Sequence, residues 1–463
     1  MQLPRIDMAR DALPVLLPVL LVAAWLGGGV TADPTGTDEW LQLLALPVLL
    51  VALAALQAHQ LAEPLPRMAL AAAALVVLVP ALQLLPIPSA WWHASTPRQL
   101  LAADLQLAGI PAPGAHWTLA PAATESALWA LLPALAAFLA AWALPADRRR
   151  WLVKLVLLLV LGNILFAFFQ AGLPRDSALR LYQQADAGFG GLFANTNHQA
   201  TALIIGMVLA VGQAVHGWRR AQAGRARPLA WLAYAAVAVA CFILVPLSTS
   251  RAGMALALPA LAAAVLLSGG VPRQRRWHGK RGIAVVLVAC LLAVAGLRAA
   301  MGWMAIDEVE ELRHAMRATT SALASAHAPL GSGIGSFVEV FEGAAPSHFW
   351  LAYYVNHAHN EYVQWWLEAG WLGLLALAAV LAVLATAGWH VVRARARDGH
   401  AILAASCFVA ICAVLAHSWA DYPLRTTTLM ATTAALAGLM LGALADSGRR
   451  PAPARAQEPA TPT

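Results

Sequence analysis

The sequence predicts an all-α polytopic membrane protein with about twelve transmembrane helices. Three observations carry that prediction. Of its 463 residues, 60% are hydrophobic and only 11% charged, far from the balance of a soluble domain. Apolar runs long enough to cross about 30 Å of hydrocarbon recur from end to end. The connections alternate in basic content: with the N-terminus cytoplasmic, 22 of the 30 Lys and Arg fall on that side, in "RRRW", "RRAQAGRAR", "PRQRRWHGKR", "RARAR" and the tail among others, and 8 fall opposite. Cytoplasmic loops carry such an excess. The net charge of +7 is therefore a topology signal, and reading it as nucleic-acid binding would be wrong.

Taken in order, the spans are 13–30, 40–56, 68–86, 126–144, 151–171, 198–216, 229–246, 253–268, 283–300, 359–392, 401–419 and 426–445. The first, with Arg5 and Arg10 before it and "GVTAD" after it, is built like a signal peptide, but the spans that follow favour an uncleaved helix. Cys241, Cys290, Cys407 and Cys412 all fall inside spans and act as small apolar residues, so no disulfide framework is indicated. After Ser447 the chain ends in "GRRPAPARAQEPATPT", which has no apolar face and reads as a disordered tail over 446–463.

The unusual chemistry sits in the external connections. "STPRQLLAADLQLAG" predicts a short amphipathic helix on the membrane surface. In "IDEVEELRHAMRATTSALASAHAPLGSGIGSF", Val309, Leu312, Met316, Thr319 and Leu323 recur at helical spacing, and the glycines at 331, 333 and 335 form a stop. Asp307, Glu308, Glu310 and Glu311 crowd its first turn as helix-dipole partners, which is a simpler reading than a metal site. Arg313 and Arg317 stand one turn apart and can aim both guanidinium groups at a lipid-linked phosphate; pairing with Glu310 or snorkelling is the plainer reading of the residues alone. Arg251, in "LSTSRAG", sits at the membrane rim, where it snorkels or meets an anion. Asn195 and Asn197 in "GLFANTNHQA" are placed to cap the next helix and are carried as substrate-binding candidates. "AHSWADYPLR" spaces His417, Asp421 and Arg425 for one helix face, where they can pair among themselves.

"YYVNHAHNEYVQWWLEAGWLG" turns from polar to apolar within a few residues. A helix beginning near Asn356 puts His357, Glu361, Gln364 and Glu368 on one face, as a polar stripe lining a cavity. His359 then points elsewhere, above Gly370 and Gly373, and is the natural general base for a hydroxyl; Asn360 or Glu361 can fix its tautomer or bind sugar hydroxyls.

His359-Asn360, nine residues, Gly370, two residues and Gly373 resemble the signature of the O-antigen ligase family, which also includes O-antigen polymerases and some protein O-oligosaccharyltransferases. "GLFANTNHQA", "STSRAG", "APLGSGIGSF" and "AHSWADYPLR" resemble further family blocks in the expected order, spanning about 188–430. Residues 1–180 resemble the family only in hydropathy. The resemblance implies a GT-C-type glycosyltransferase: an N-terminal bundle over 1–180, a catalytic region over 181–445 with a periplasmic helical loop at 301–358 between spans 9 and 10, and the tail. It implies transfer of a glycan from an undecaprenyl-diphosphate-linked donor to lipid A-core or another acceptor glycan, at the periplasmic face of the bacterial inner membrane, with no metal or other cofactor. Carried residue by residue, it makes Arg251 and Arg313 the diphosphate ligands and His359 the base. Arg317 competes with Arg313, and the family's usual Trp near this point is absent. His357, Asn360, Glu361 and Glu368 complete the substrate-binding candidates. The alternative is a transporter or flippase using the polar stripe as its pathway, for which polar residues at mid-membrane would be expected.

Overall fold

The computed structural model describes residues 4–31, 36–56, 63–110, 116–174, 176–182, 189–269, 308–349, 355–394 and 398–447. Among them the regular structure is helical, apart from an isolated antiparallel bridge between Pro86 and His116. In chain order the helices are α1 (Pro4–Gly27), α2 (Thr37–Ala55), α3 (Pro64–Gln83), α4 (Ser89–Trp92), α5 (Thr96–Leu107), α6 (Pro121–Ala130), α7 (Leu132–Ala143), α8 (Ala146–Ala171), α9 (Thr196–Gln222), α10 (Trp231–Leu244), α11 (Arg251–Leu267), α12 (Glu308–His327), α13 (Phe337–Ala344), α14 (Glu361–Ala394), α15 (Gly399–His417) and α16 (Thr427–Asp446). The chain is an all-α polytopic membrane protein.

Ten of the expected spans are helices long and apolar enough to cross a bilayer, α6 and α7 together forming one of them. The span expected at 253–268 is α11, 17 residues long, a shorter apolar helix than the ten, of which α10 counts with the 3-10 turn that continues it to Ser248. The span expected at 283–300, the residues around Asp307, and Cys290 lie outside the described residues. The two amphipathic helices anticipated between spans are α5 and α12.

Small and aliphatic side chains on every face let α9 run through the centre: 89% of its apolar stretch is buried, against 67% for α15 and α16 and 22% for α10 and α14. Outward faces carry Leu158, Leu165, Trp371, Leu375 and Trp389 in the open, the arrangement a hydrocarbon solvent requires. Close approach of α7 and α16 depends on Gly438, whose missing side chain leaves room for the Phe138 carbonyl.

One irregularity organises the packing around α14. Within α14, Gly370 adopts φ 60 and ψ −150, a region open essentially only to glycine. The break frees backbone groups that the segment before α13 then satisfies. Ser332 N donates to Leu367 O (2.9 Å), Gly333 N to Glu368 O (2.9 Å), and Trp371 N to Pro329 O (2.9 Å). Gly331, Gly333 and Gly335 all have positive φ, so this expected stop is a tight turn. Gln83 of α3 joins in, donating to Glu368 O at 2.9 Å and accepting from Ile334 N at 2.8 Å. Arg98 of α5 donates to the carbonyls of Trp117 (2.6 Å) and Gly331 (3.0 Å). Side chains from the first 120 residues thus hold the break in place.

Candidate functional site

The structure corrects the expected start of the tenth span. Asn360 Oδ1 accepts from Tyr362 N and Val363 N, both at 3.1 Å, so it caps α14 and the helix begins at Glu361 rather than near Asn356. His357 and His359 therefore precede the helix, and His357 does not share a helix face with Glu361, Gln364 and Glu368. The stripe is still connected, through hydrogen bonds. Gln364 Oε1 accepts from Ala358 N (3.1 Å), and its Nε2 donates to Glu368 Oε1 (3.1 Å) and to His357 Nδ1 (3.2 Å).

Below the cap the stripe packs against protein. Glu368 is sealed and pairs with Arg425 at 2.7 Å. Glu361 Oε1 accepts from Leu424 N at 2.7 Å, and Glu361 N donates to Ser418 O. Both carboxylates fasten α14 to the turn between α15 and α16. Burial works against the charge on Arg425, but its pairing with Glu368 prevails and raises its pKa above the ordinary value. Because the Glu368 side chain is 0% exposed and that of Arg425 is 22% exposed, the two deletions are unequal. Arg425→Ala strands a buried carboxylate and is expected to cost about 3–5 kcal/mol; Glu368→Ala leaves a cation that can reach solvent and is expected to cost less. Thermal unfolding of the two variants in detergent checks the order.

The expected helix face at His417, Asp421 and Arg425 is also corrected. α15 ends at His417, and Pro423 opens a short turn to Arg425, because the residue before a proline resists helical geometry. The three residues take different partners. His417 Nδ1 lies 2.7 Å from Thr201 Oγ1 of α9, and its Nε2 lies 3.5 Å from Ser250 Oγ. Asn195 Nδ2 donates to Asp421 Oδ2 at 3.2 Å; its Oδ1 accepts from Asn197 N at 2.8 Å, which makes it the cap of α9. Asn197 contributes through its backbone, accepting from Thr201 Oγ1 at 3.1 Å.

Tyr422 is the hub of the site. His357, His359 and His198 surround its ring, with centroids 4.3, 5.0 and 5.1 Å away. His198, at the start of α9, is fully buried against it. Burial alone would raise the Asp421 carboxyl, yet His198, His359, His417 and Arg313 around it hold it below its usual value. Burial, then Asp421, pushes the Tyr422 phenol up to about 12. His357 is driven well below the usual histidine value by burial, then by Arg425, His359 and His198. The site therefore contains an ionised carboxylate, a neutral phenol and a neutral His357 at physiological pH.

Arg313 faces this hub from α12: its charge is felt by both Asp421 and Tyr422. Arg317, one turn further on, reaches back with its Nε to Arg313 O at 3.4 Å. Arg251 is the first residue of α11, next to Ser250, whose side chain accepts from Gly253 N (3.0 Å) and meets His417. Among the described residues, the two non-glycine positions with positive φ are Thr249 (57°) and His359 (50°). Both lie here, beside Arg251 and at the candidate base, where retained backbone strain commonly marks function.

Tyr422 was not singled out from the sequence. An aromatic ring in "ADYPLR" carries no signal of being a hub until the turn after α15 brings it against the His357 loop. Among the described residues, no group of three or more His, Cys, Asp or Glu is arranged to hold a metal. A cavity of about 220 Å³ lies at the other end of α16, lined by Arg10, Glu63, Trp142, Arg149 and Asp446 among others; Arg149 and Asp446 pair there at 2.6 Å, and none of the site residues lines it.

No curated protein matches the chain. A family model does: residues 236–378 match O-antigen ligase. That stretch contains Arg251, Arg313, the His357–His359 loop and the Gly370 break, while Asn195, Asp421 and Arg425 complete the site from outside it. The match covers 143 of the 463 residues, and it makes this stretch similar to O-antigen ligase and supports a ligase or polymerase role in polysaccharide biosynthesis.

Proposed function

We propose that the protein transfers a glycan from an undecaprenyl-diphosphate-linked donor to an acceptor hydroxyl at the periplasmic face of the bacterial inner membrane. The observation that carries the reading is the tautomer of His359. Its Nδ1 lies 3.0 Å from His357 O; a carbonyl only accepts, so Nδ1 bears the proton and Nε2 keeps the lone pair. That is the form a general base needs. The acceptor O–H gives its proton to Nε2 as its oxygen attacks the anomeric carbon, and the bond from that carbon to the diphosphate breaks with its electron pair leaving on phosphate. Arg251 and Arg313 stabilise that charge, as guanidinium groups do through paired hydrogen bonds. Asp421, held ionised among His198, His359 and His417, stabilises the imidazolium that His359 becomes. Asn195 holds Asp421, and Asn360 and Glu361 fix the loop.

Arg251→Ala and Arg313→Ala are each expected to lower transfer by about 10²–10³-fold while the protein inserts and accumulates normally, whereas Arg317→Ala loses far less. Gene deletion followed by surface-glycan profiling on gels identifies the acceptor. Loss of long glycan from lipid A-core with accumulation of lipid-linked polymer indicates a ligase, and single-unit capping indicates a polymerase. Unchanged glycans with altered uptake of a solute would overturn the reading in favour of a transporter.

A further inference from the structure

Two histidines flank the same phenol ring with opposite hydrogen-bonding polarity. The carbonyl of His357 makes His359 a δ-protonated ring. Gln364 makes His357 the reverse. Two separate constraints orient the Gln364 amide: its Oε1 must face the Ala358 N–H (3.1 Å), and its Nε2 must face Glu368 Oε1 (3.1 Å), whose other carboxylate oxygen pairs with Arg425 (2.7 Å). The second hydrogen on Nε2 then points at His357 Nδ1, 3.2 Å away. A nitrogen facing a donor must accept, so Nδ1 is unprotonated and the proton of neutral His357 is on Nε2. Unlike the rings of His198 and His417, His357 is only half-buried, and among the described residues Nε2 has no partner.

We propose that His357 binds the acceptor glycan, its Nε2–H donating to a sugar hydroxyl or ring oxygen next to the oxygen that His359 deprotonates. Gln364, Glu368 and Arg425 are positioning residues that hold this tautomer. The inference rests on the transferase reading and adds which substrate this histidine takes. The chemistry separates acceptor from donor. A single neutral N–H suits an uncharged sugar oxygen, whereas the diphosphate is matched by the guanidinium groups of Arg251 and Arg313. The geometry is consistent: both ring centroids lie 4.3 and 5.0 Å from that of Tyr422 and His359 Nδ1 meets His357 O at 3.0 Å, so base and donor belong to one short loop against one ring. The burial and positive neighbours that keep His357 neutral also keep the donor in place across the working pH range.

The test uses the full-length protein in detergent or proteoliposomes, with a lipid-diphosphate-linked oligosaccharide as donor and a defined core oligosaccharide lipid as acceptor. His357→Phe is expected to raise the acceptor KM about tenfold, the scale of one lost hydrogen bond, with donor KM and the pH dependence of kcat unchanged. His357→Gln, which restores an N–H near the same place, is expected to recover the acceptor KM to within about threefold. A KM change on the donor side, or no rescue by His357→Gln, overturns the assignment. Nitrogen-15 NMR of histidine-labelled protein, with His357→Gln and His359→Gln used to assign the signals, tests the tautomers without turnover. Opposite tautomers are expected, and two rings protonated at the same nitrogen would overturn the argument. Absence of transfer by the wild-type protein with any lipid-linked donor would overturn the transferase reading itself, a result distinct from intact transfer with an unmoved acceptor KM.

Discussion

His359→Ala is expected to lower glycan transfer by about 10²–10⁴-fold, the usual worth of a positioned general base, without loss of folded protein. The ring is half-buried and rests on Tyr422 without filling a core cluster, so its removal costs little packing. The kinetic signature is specific. kcat falls, donor KM stays near its wild-type value because Arg251 and Arg313 still hold the diphosphate, and the residual rate loses the rise with pH that deprotonation of a base imposes. His359→Gln keeps polarity but cannot take a proton, and is expected to be as defective as the alanine variant. Wild-type rates in either variant would remove His359 from the mechanism.

Gly370→Ala is expected to be the most damaging substitution that touches no substrate. A Cβ at this position would stand 2.6 Å from Leu330 C and 2.7 Å from Gly331 N, both backbone atoms that cannot move aside singly. The φ and ψ there add strain of about 1–3 kcal/mol for any other residue. The break would have to shift, and with it the carbonyls of Leu367 and Glu368 that Ser332, Gly333 and Gln83 hold. Glu368 sits at the head of the relay to Gln364 and His357, so transfer falls with stability. A loss of at least about 3 kcal/mol in unfolding and a severe loss of transfer are expected. Gly162→Ala is the control: nothing lies within 4 Å of its added Cβ, the site is helical, and a gain of about 0.5–1 kcal/mol is expected. Thermal unfolding of both variants in detergent checks the pair, and wild-type stability in Gly370→Ala would show that the break does not depend on glycine.

Most of the fold was legible because a bilayer imposes a simple rule. Each span must hide its own backbone polarity and show apolar side chains outward, so hydropathy alone located the ten helices among the described residues that are long and apolar enough to cross it. The amphipathic helices α5 and α12 were legible for a related reason, since their apolar residues repeat at helical spacing. The tenth span was misjudged at its start because an Asn cap and a left-handed His359 override periodicity within a few residues. His417, Asp421 and Arg425 were given a shared face because spacing in a sequence presumes a continuous helix, and Pro423 interrupts it.

The residue types of the site, His359, Arg251, Arg313 and the glycines at 370 and 373, are local motifs and stand in the sequence by itself. Their roles are not local. That the charge of Arg313 acts on Asp421 and Tyr422 depends on where α12 sets it, and Glu368 is a structural anchor rather than an open ligand because Arg425, 57 residues away, reaches it. The tautomers of His357 and His359 depend on a carbonyl and an amide whose positions follow from the cap at Asn360. Sequence determined the membrane helices and the chemical inventory, since both are written in composition and short spacing. Only the tertiary structure decided which partner each of these groups meets, because that is set by what each nitrogen faces in space.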